Sequence, residues 1–113
     1  MSARARQPDG TPARAESIDD RPLNRDDAER LATLLKVVSD PTRLQILSMI
    51  HGSADAEACV GDLYPGLGLR QPTVSHHLKL MTEAGLLRRD KRGREVWYSI
   101  EPHRLPAIAD ILR

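Results

Sequence analysis

The segment Arg70-Gln-Pro-Thr-Val-Ser-His-His-Leu-Lys79 decides how the chain folds. Pro72 falls in the first turn of a helix, where a missing N–H is no loss, and Gly85 supplies a stop, so a helix is expected from about Arg70 to Ala84. Advancing about 100° per residue puts Val74, His77, Leu78, Met81 and Ala84 on one flank and Ser75, His76, Lys79 and Glu83 on the other. The first flank packs. The second, extended at its N-terminal end by Arg70, Gln71 and Thr73, carries short donors and acceptors of the kind that address base edges in a major groove.

Immediately upstream, Cys59 to Tyr64 suits a brief helix stopped by Pro65 and Gly66, and Leu67-Gly-Leu69 makes a tight turn. The two helices and this turn read as a helix-turn-helix. Further back, Asp40 caps and Pro41 opens a helix through Leu44, Ile46, Leu47 and Ile50 that ends at Gly52, with Ser53 to Glu57 as a polar connection. Asn24 caps an earlier helix from about Arg25 to Val38, in which Leu31, Leu34, Leu35 and Val38 recur at helical spacing. Residues 1–23, with Pro8, Pro12 and Pro22 and few large aliphatics, are expected to form a disordered tail. Downstream, Leu86-Leu-Arg-Arg-Asp90 and Glu95-Val-Trp-Tyr-Ser-Ile100 are strand-like and flank a basic tip, Lys91-Arg-Gly-Arg94. Pro102 to Arg113 places Leu105, Ile108, Ala109 and Leu112 on one face of a short last helix. The expected fold is mainly α with a small β-hairpin. Its order, four helices, two strands and a fifth helix, is that of a winged helix-turn-helix, a DNA-binding and dimerisation domain over residues 24–113.

Composition sharpens this. A chain of 113 residues accommodates one compact domain. Phe is absent and aromatics total 3%, so the core is aliphatic, a lone protomer is marginal, and dimerisation would relieve the shortage. Cys59 is the single cysteine, which excludes an intramolecular disulfide. No apolar run approaches the roughly 20 residues that span a bilayer. The first thirty residues lack a signal-peptide apolar region, so a cytoplasmic protein without a membrane role is expected. The formal net charge is only +1, yet the stretch from Arg70 to Arg94 carries seven basic and two acidic residues, a local +5 that leaves −4 elsewhere. Such segregation is what a phosphate-facing surface requires, although by charge alone it also describes a solvated basic hairpin. In the tip, Lys91, Arg92 and Arg94 are placed to meet phosphates or a minor groove and so to add affinity more than specificity.

Five stretches together carry a family resemblance: Ser39-Asp-Pro-Thr-Arg-Leu-Gln-Ile-Leu47, Glu57-Ala-Cys-Val-Gly-Asp-Leu63, Gln71-Pro-Thr-Val-Ser-His-His-Leu-Lys-Leu80, Glu83-Ala-Gly-Leu-Leu87 and Arg92-Gly-Arg-Glu-Val-Trp-Tyr98. They resemble the ArsR/SmtB family of metalloregulatory repressors, over about residues 25 to 112. The resemblance implies a homodimer joined through its first and last helices and a two-fold symmetric, palindromic operator in double-stranded DNA. It also implies DNA-facing positions at Gln71, Thr73, Ser75 and His76, with Arg92 and Arg94 in the wing. Where many relatives have a small polar cap before the recognition helix, this chain has Arg70, which suits a phosphate better.

The same resemblance raises the question of a metal sensor, and here the chain departs from the pattern. Cys59 and Asp62 match one half of a family metal site, but the other half comes from Cys or His in the N-terminal arm, and residues 1–50 contain neither. A thiolate and one carboxylate leave a tetrahedral zinc-type site two donors short. The arsenic pattern needs a second thiolate, and Gly61 stands where many relatives carry Cys. In the second family site, Pro102 replaces an expected Asp and Arg104 an expected His. A divalent ion such as zinc, nickel or cobalt is therefore expected to bind weakly, through Cys59 and Asp62 with a histidine as a further candidate ligand. Cys59 has three readings: a small buried hydrophobe, a weak metal ligand, or a redox-sensitive thiol. For His77, on the packed flank, a satisfied buried or boundary histidine is a simpler reading than a metal ligand. The alternative to a metal-responsive repressor is a metal-independent regulator or protein-interaction module, controlled by a partner protein or by thiol chemistry. Catalysis is not expected: there is no phosphate-binding glycine loop, no metalloenzyme signature, and no histidine at a recognisable spacing from Cys59.

Overall fold

The computed structural model describes residues 21–113, so all but the last three residues of the expected disordered tail lie outside the described region. The first helix, α1, spans Arg25–Val38, and the Asn24 side chain accepts the Asp27 N–H at 2.8 Å as its cap. Asp26 and Asp27 in its first turn face the positive end of the helix dipole. The second, α2, spans Pro41–His51, with the Asp40 carboxylate accepting the Arg43 N–H at 3.0 Å. Both helices start where a capping side chain precedes the hydrophobic run.

Between α2 and the helix-turn-helix the structure departs from expectation. Ser53 to Glu57 is not a plain connection. Ala54–Ala56 form a tight 3-10 turn, with Asp55 and Ala56 in left-handed conformations, and Glu57–Cys59 form a strand, β1. The next helix, α3, therefore starts at Val60, and it runs to Leu67 rather than stopping at Tyr64. Pro65 removes one N–H bond in a last turn whose Leu63 is buried and whose Tyr64 and Leu67 pack on the core, so the turn persists. The actual stop is Gly68, at φ +68°, a conformation that glycine adopts without strain. The helix α4 then spans Gln71–Glu83.

Strands β2 (Leu87–Arg92) and β3 (Glu95–Ile100) form the expected hairpin, but its turn is only Gly93 and Arg94, so Lys91 and Arg92 belong to β2 rather than to the tip. Gly93 takes φ +63°, as the first position of a two-residue Gly-X hairpin turn requires. β1 pairs antiparallel with Trp97 to Ser99 of β3, giving a three-stranded sheet in the order β1-β3-β2. The last helix, α5, is Leu105–Ile111, shorter than the segment from Pro102 to Arg113, and Pro106 falls in its first turn.

The core is where these elements meet. Ile46, Leu47 and Ile50 of α2, Leu63 of α3, Val74, Leu78 and Met81 of α4, and Leu86 and Leu87 are all at most 1% exposed. Ala58 and Ile100 close it from the sheet, and Val38 and Ile108 from α1 and α5. The result is a winged helix-turn-helix. Because Leu78 sits at 0% exposure in the middle of α4, Leu78→Ala should lower stability by about 3 kcal/mol, measured by urea unfolding at neutral pH.

Candidate nucleic-acid interface

With Val74, Leu78 and Met81 buried, the rotation of α4 is set, and Gln71, Thr73, His76 and Lys79 are exposed while Ser75 is half-buried. Arg70 occupies the N-cap position without a side-chain cap, and its exposed guanidinium stands at the start of the same flank. Gln71 and Ser75 share a cleft of about 370 Å³ with Cys59 and Asp62 at the start of α3 and with Arg94 and Tyr98 of the wing. Two sets of residues singled out separately in the sequence, one for DNA and one for metal, thus meet in one place.

The wing cations do not all behave alike. Paired strand residues share a face and successive residues alternate, so Lys91, opposite Val96, lies on the face with Val96 and Tyr98 that borders the cleft. Arg94 is in the turn itself and forms no ion pair among the described residues. Arg92 is on the opposite face. Its Nη1 and Nη2 donate to the two Glu57 carboxylate oxygens at 2.8 Å each, its Nε donates to Asp90 at 2.8 Å, and its guanidinium lies 5.4 Å from the Trp97 ring centroid. These hydrogen bonds hold the Glu57 carboxyl below its ordinary range and raise the Arg92 pKa further. Neither Glu57 nor Trp97 was marked by the sequence as a functional residue, since the partners in the Glu57–Arg92 pair lie 35 positions apart.

Cys59 is half-buried, and the Asp62 carboxylate accepts its backbone N–H at 3.0 Å, so Asp62 acts as a helix cap for α3. Burial, with the Glu95 and Asp62 carboxylates nearby, pushes the thiol pKa up and disfavours the thiolate that a metal would need. Among the described residues no three or more His, Cys, Asp or Glu side chains form a group able to hold a metal ion. Cys59 and Asp62 by themselves do not fit a resident metal.

On the other side of α4, His77 is half-buried and its Nδ1 accepts from Arg43 Nε at 3.1 Å, while Arg43 Nη1 donates to the Val37 carbonyl at 3.1 Å. One guanidinium on α2 therefore links the end of α1 to α4. Nothing local in the sequence marks Arg43 for this role, since its partner in α4 is 34 residues away.

This arrangement defines a class, the winged helix-turn-helix regulators, and the comparisons narrow it. Residues 40–89 match the model described as "Bacterial regulatory protein, arsR family". The "Arsenical resistance operon repressor" of Escherichia coli K12 is 43% identical over 76 residues, covering 67% of this chain and 62% of that protein. The "HTH-type transcriptional regulator YgaV" of the same organism is 37% identical over 76% of this chain and 85% of its own length. Among solved structures, the "transcriptional repressor PagR of Bacillus anthracis" superposes with a TM-score of 0.68 at 31% identity, over 80% of this chain and all of that one. The chain belongs to the ArsR family. It spans about 62 to 66% of the length of the arsenical repressors it matches. No helix among the described residues is long and apolar enough to cross a membrane.

His77 generates a pH prediction. As an acceptor from Arg43 it must be neutral, and burial, followed by Arg43, lowers its pKa below the ordinary imidazole value of about 6.5. The unfolded chain therefore takes up this proton first on acidification. The stability His77 contributes is complete above that ordinary value and is lost as pH falls through the lower native one. Thermal melting from about pH 8 to 5 should show a drop that His77→Gln, which keeps an acceptor for Arg43, removes. Equal slopes in the two proteins would show that His77 is not the titrating group.

Proposed function

We propose that the chain is a sequence-specific DNA-binding repressor that acts as a homodimer on a palindromic operator. One observation carries the reading: Gln71 and Ser75 on the polar flank of α4 line one cleft together with Arg94 of the wing. In this reading Gln71, Thr73, Ser75 and His76 address base edges, and Arg70, Lys79, Lys91 and Arg94 contact phosphates. Residues 24–113 form the working domain. The relatives, an arsenical resistance operon repressor and other transcriptional repressors, support regulation rather than catalysis.

Dimerisation follows from apolar surface that a monomer leaves open. Leu31 and Leu35 of α1 are 41% and 53% exposed, and Ile111 of α5 is 52% exposed. Arg104, at the start of α5, lines a cleft with Arg30 and Thr33 of α1, so the two helices border the same side of the molecule. A two-fold pairing through them would set two recognition helices about one DNA turn, roughly 34 Å, apart.

Two measurements test the reading. In fluorescence anisotropy, Arg94→Gln should weaken operator and random duplex alike and reduce the log–log salt slope by about one, whereas Gln71→Ala or Ser75→Ala should change base preference. Equal losses on both duplexes for both kinds of variant would defeat this division of roles. For the metal question, calorimetry of the reduced protein with zinc, nickel or cobalt should show only weak binding, abolished in Cys59→Ala. Unchanged affinity in that variant removes Cys59 from the account.

A further inference from the structure

Arg92 is the wing cation whose surroundings fit a DNA contact least. In the order β1-β3-β2 it lies on one outer strand and Glu57 on the other, so their side chains meet across the central strand. Outer strands of such a sheet are roughly 10 Å apart. The pairing register puts Glu57, Asp90, Arg92 and Trp97 on one face. Arg92 pairs with Glu95 next to the turn, whereas Glu57 pairs with Ser99 towards the base of the hairpin. The guanidinium therefore runs diagonally back along the hairpin, over Trp97, to a bidentate contact with Glu57. Such a two-pronged, charge-assisted pair fixes direction as well as distance.

The span matters because β1 supports only Trp97 to Ser99 of β3. Beyond Trp97 the hairpin is a two-stranded ribbon, which twists strongly and is marginal by itself. Arg92 joins this ribbon to the strand that leads directly into α3. Charge argues the same way. All three guanidinium nitrogens are engaged, and a phosphate approaching Arg92 would meet the carboxylates of Glu57 and Asp90. Glu57 is only 20% exposed at its side chain, so it is held in place rather than free to swing aside.

We propose that Arg92 is a positioning residue, clasped by Glu57 over Trp97, that sets the angle at which the wing presents Arg94 and Lys91 to DNA, and that it is not itself a phosphate ligand. This rests on the DNA-binding reading above.

Glu57→Gln gives the sharpest test, because the two accounts predict opposite signs. Removing an acidic charge and freeing Arg92 should strengthen DNA binding if Arg92 is a phosphate ligand. The clasp predicts a loss of roughly fivefold with the salt slope unchanged. Arg92→Gln should lose about the same, the double variant should be no worse than either single one, and Arg92→Lys, which keeps the charge but not the fork, should not restore affinity. Without DNA, amide exchange at 91–96 should quicken in Glu57→Gln while exchange in α2 and α4 stays unchanged. Binding of Glu57→Gln as tight as the parent or tighter, or a salt slope reduced in Arg92→Gln as in Arg94→Gln, overturns the proposal. If the parent binds no duplex at all, the DNA reading fails, and the hairpin exchange still decides the clasp: no change in Glu57→Gln overturns it.

Discussion

Burial of Val74, Leu78 and Met81 is the constraint from which the rest of the molecule follows. These three side chains occupy one stripe of α4 and are sealed against α2, α3 and the sheet, so the helix can take only one rotation about its axis. That rotation carries Gln71, Thr73, His76 and Lys79 outward as a set. Gly68 closes α3 in a left-handed turn, and Leu86 continues directly from α4 into the core, so the neighbours of α4 are held at both ends.

The wing depends on the same core at one remove. Ala58, Leu87 and Ile100 face inward from its three strands, and alternation along the same strands turns Glu57, Asp90, Arg92 and Trp97 outward together. A single sheet thus presents two chemically different faces. One borders the cleft with Gln71 and Ser75, and the other carries an ion-paired cluster. Behind α4, Arg43 bridges the Val37 carbonyl and His77, so the recognition helix is tied by a polar contact as well as by apolar packing. Cys59 lies between these features, at the junction of β1 and α3, where burial and neighbouring carboxylates push its thiol pKa up.

Local signals in the sequence were enough wherever an element is made by its own residues. Asn24 and Asp40 cap α1 and α2 as their chemistry requires, and the predicted bounds of α1, Arg25 to Val38, are those observed. The buried stripe of α4 and its exposed flank were equally legible, because a helical period of about 3.6 residues assigns every side chain to a face before any partner is known. Family membership was legible too, since it rests on ordered motifs along the chain.

Tertiary structure decided what depends on partners far away in the chain. β1 has three residues, too few to show a period, and exists because β3 supplies its hydrogen bonds from about forty positions downstream. Arg92 and Arg94 look alike in sequence, two basic residues around one glycine, yet one ends β2 within reach of a carboxylate 35 positions away and the other lies in the turn. Pro65 reads locally as a stop, but packing of Leu63 and Leu67 carries α3 through it to Gly68. The helices, their buried stripes and the family are written in local sequence. The fold alone determined which charges are free and which are paired, because a side chain's period is a local property and its electrostatic partner is not.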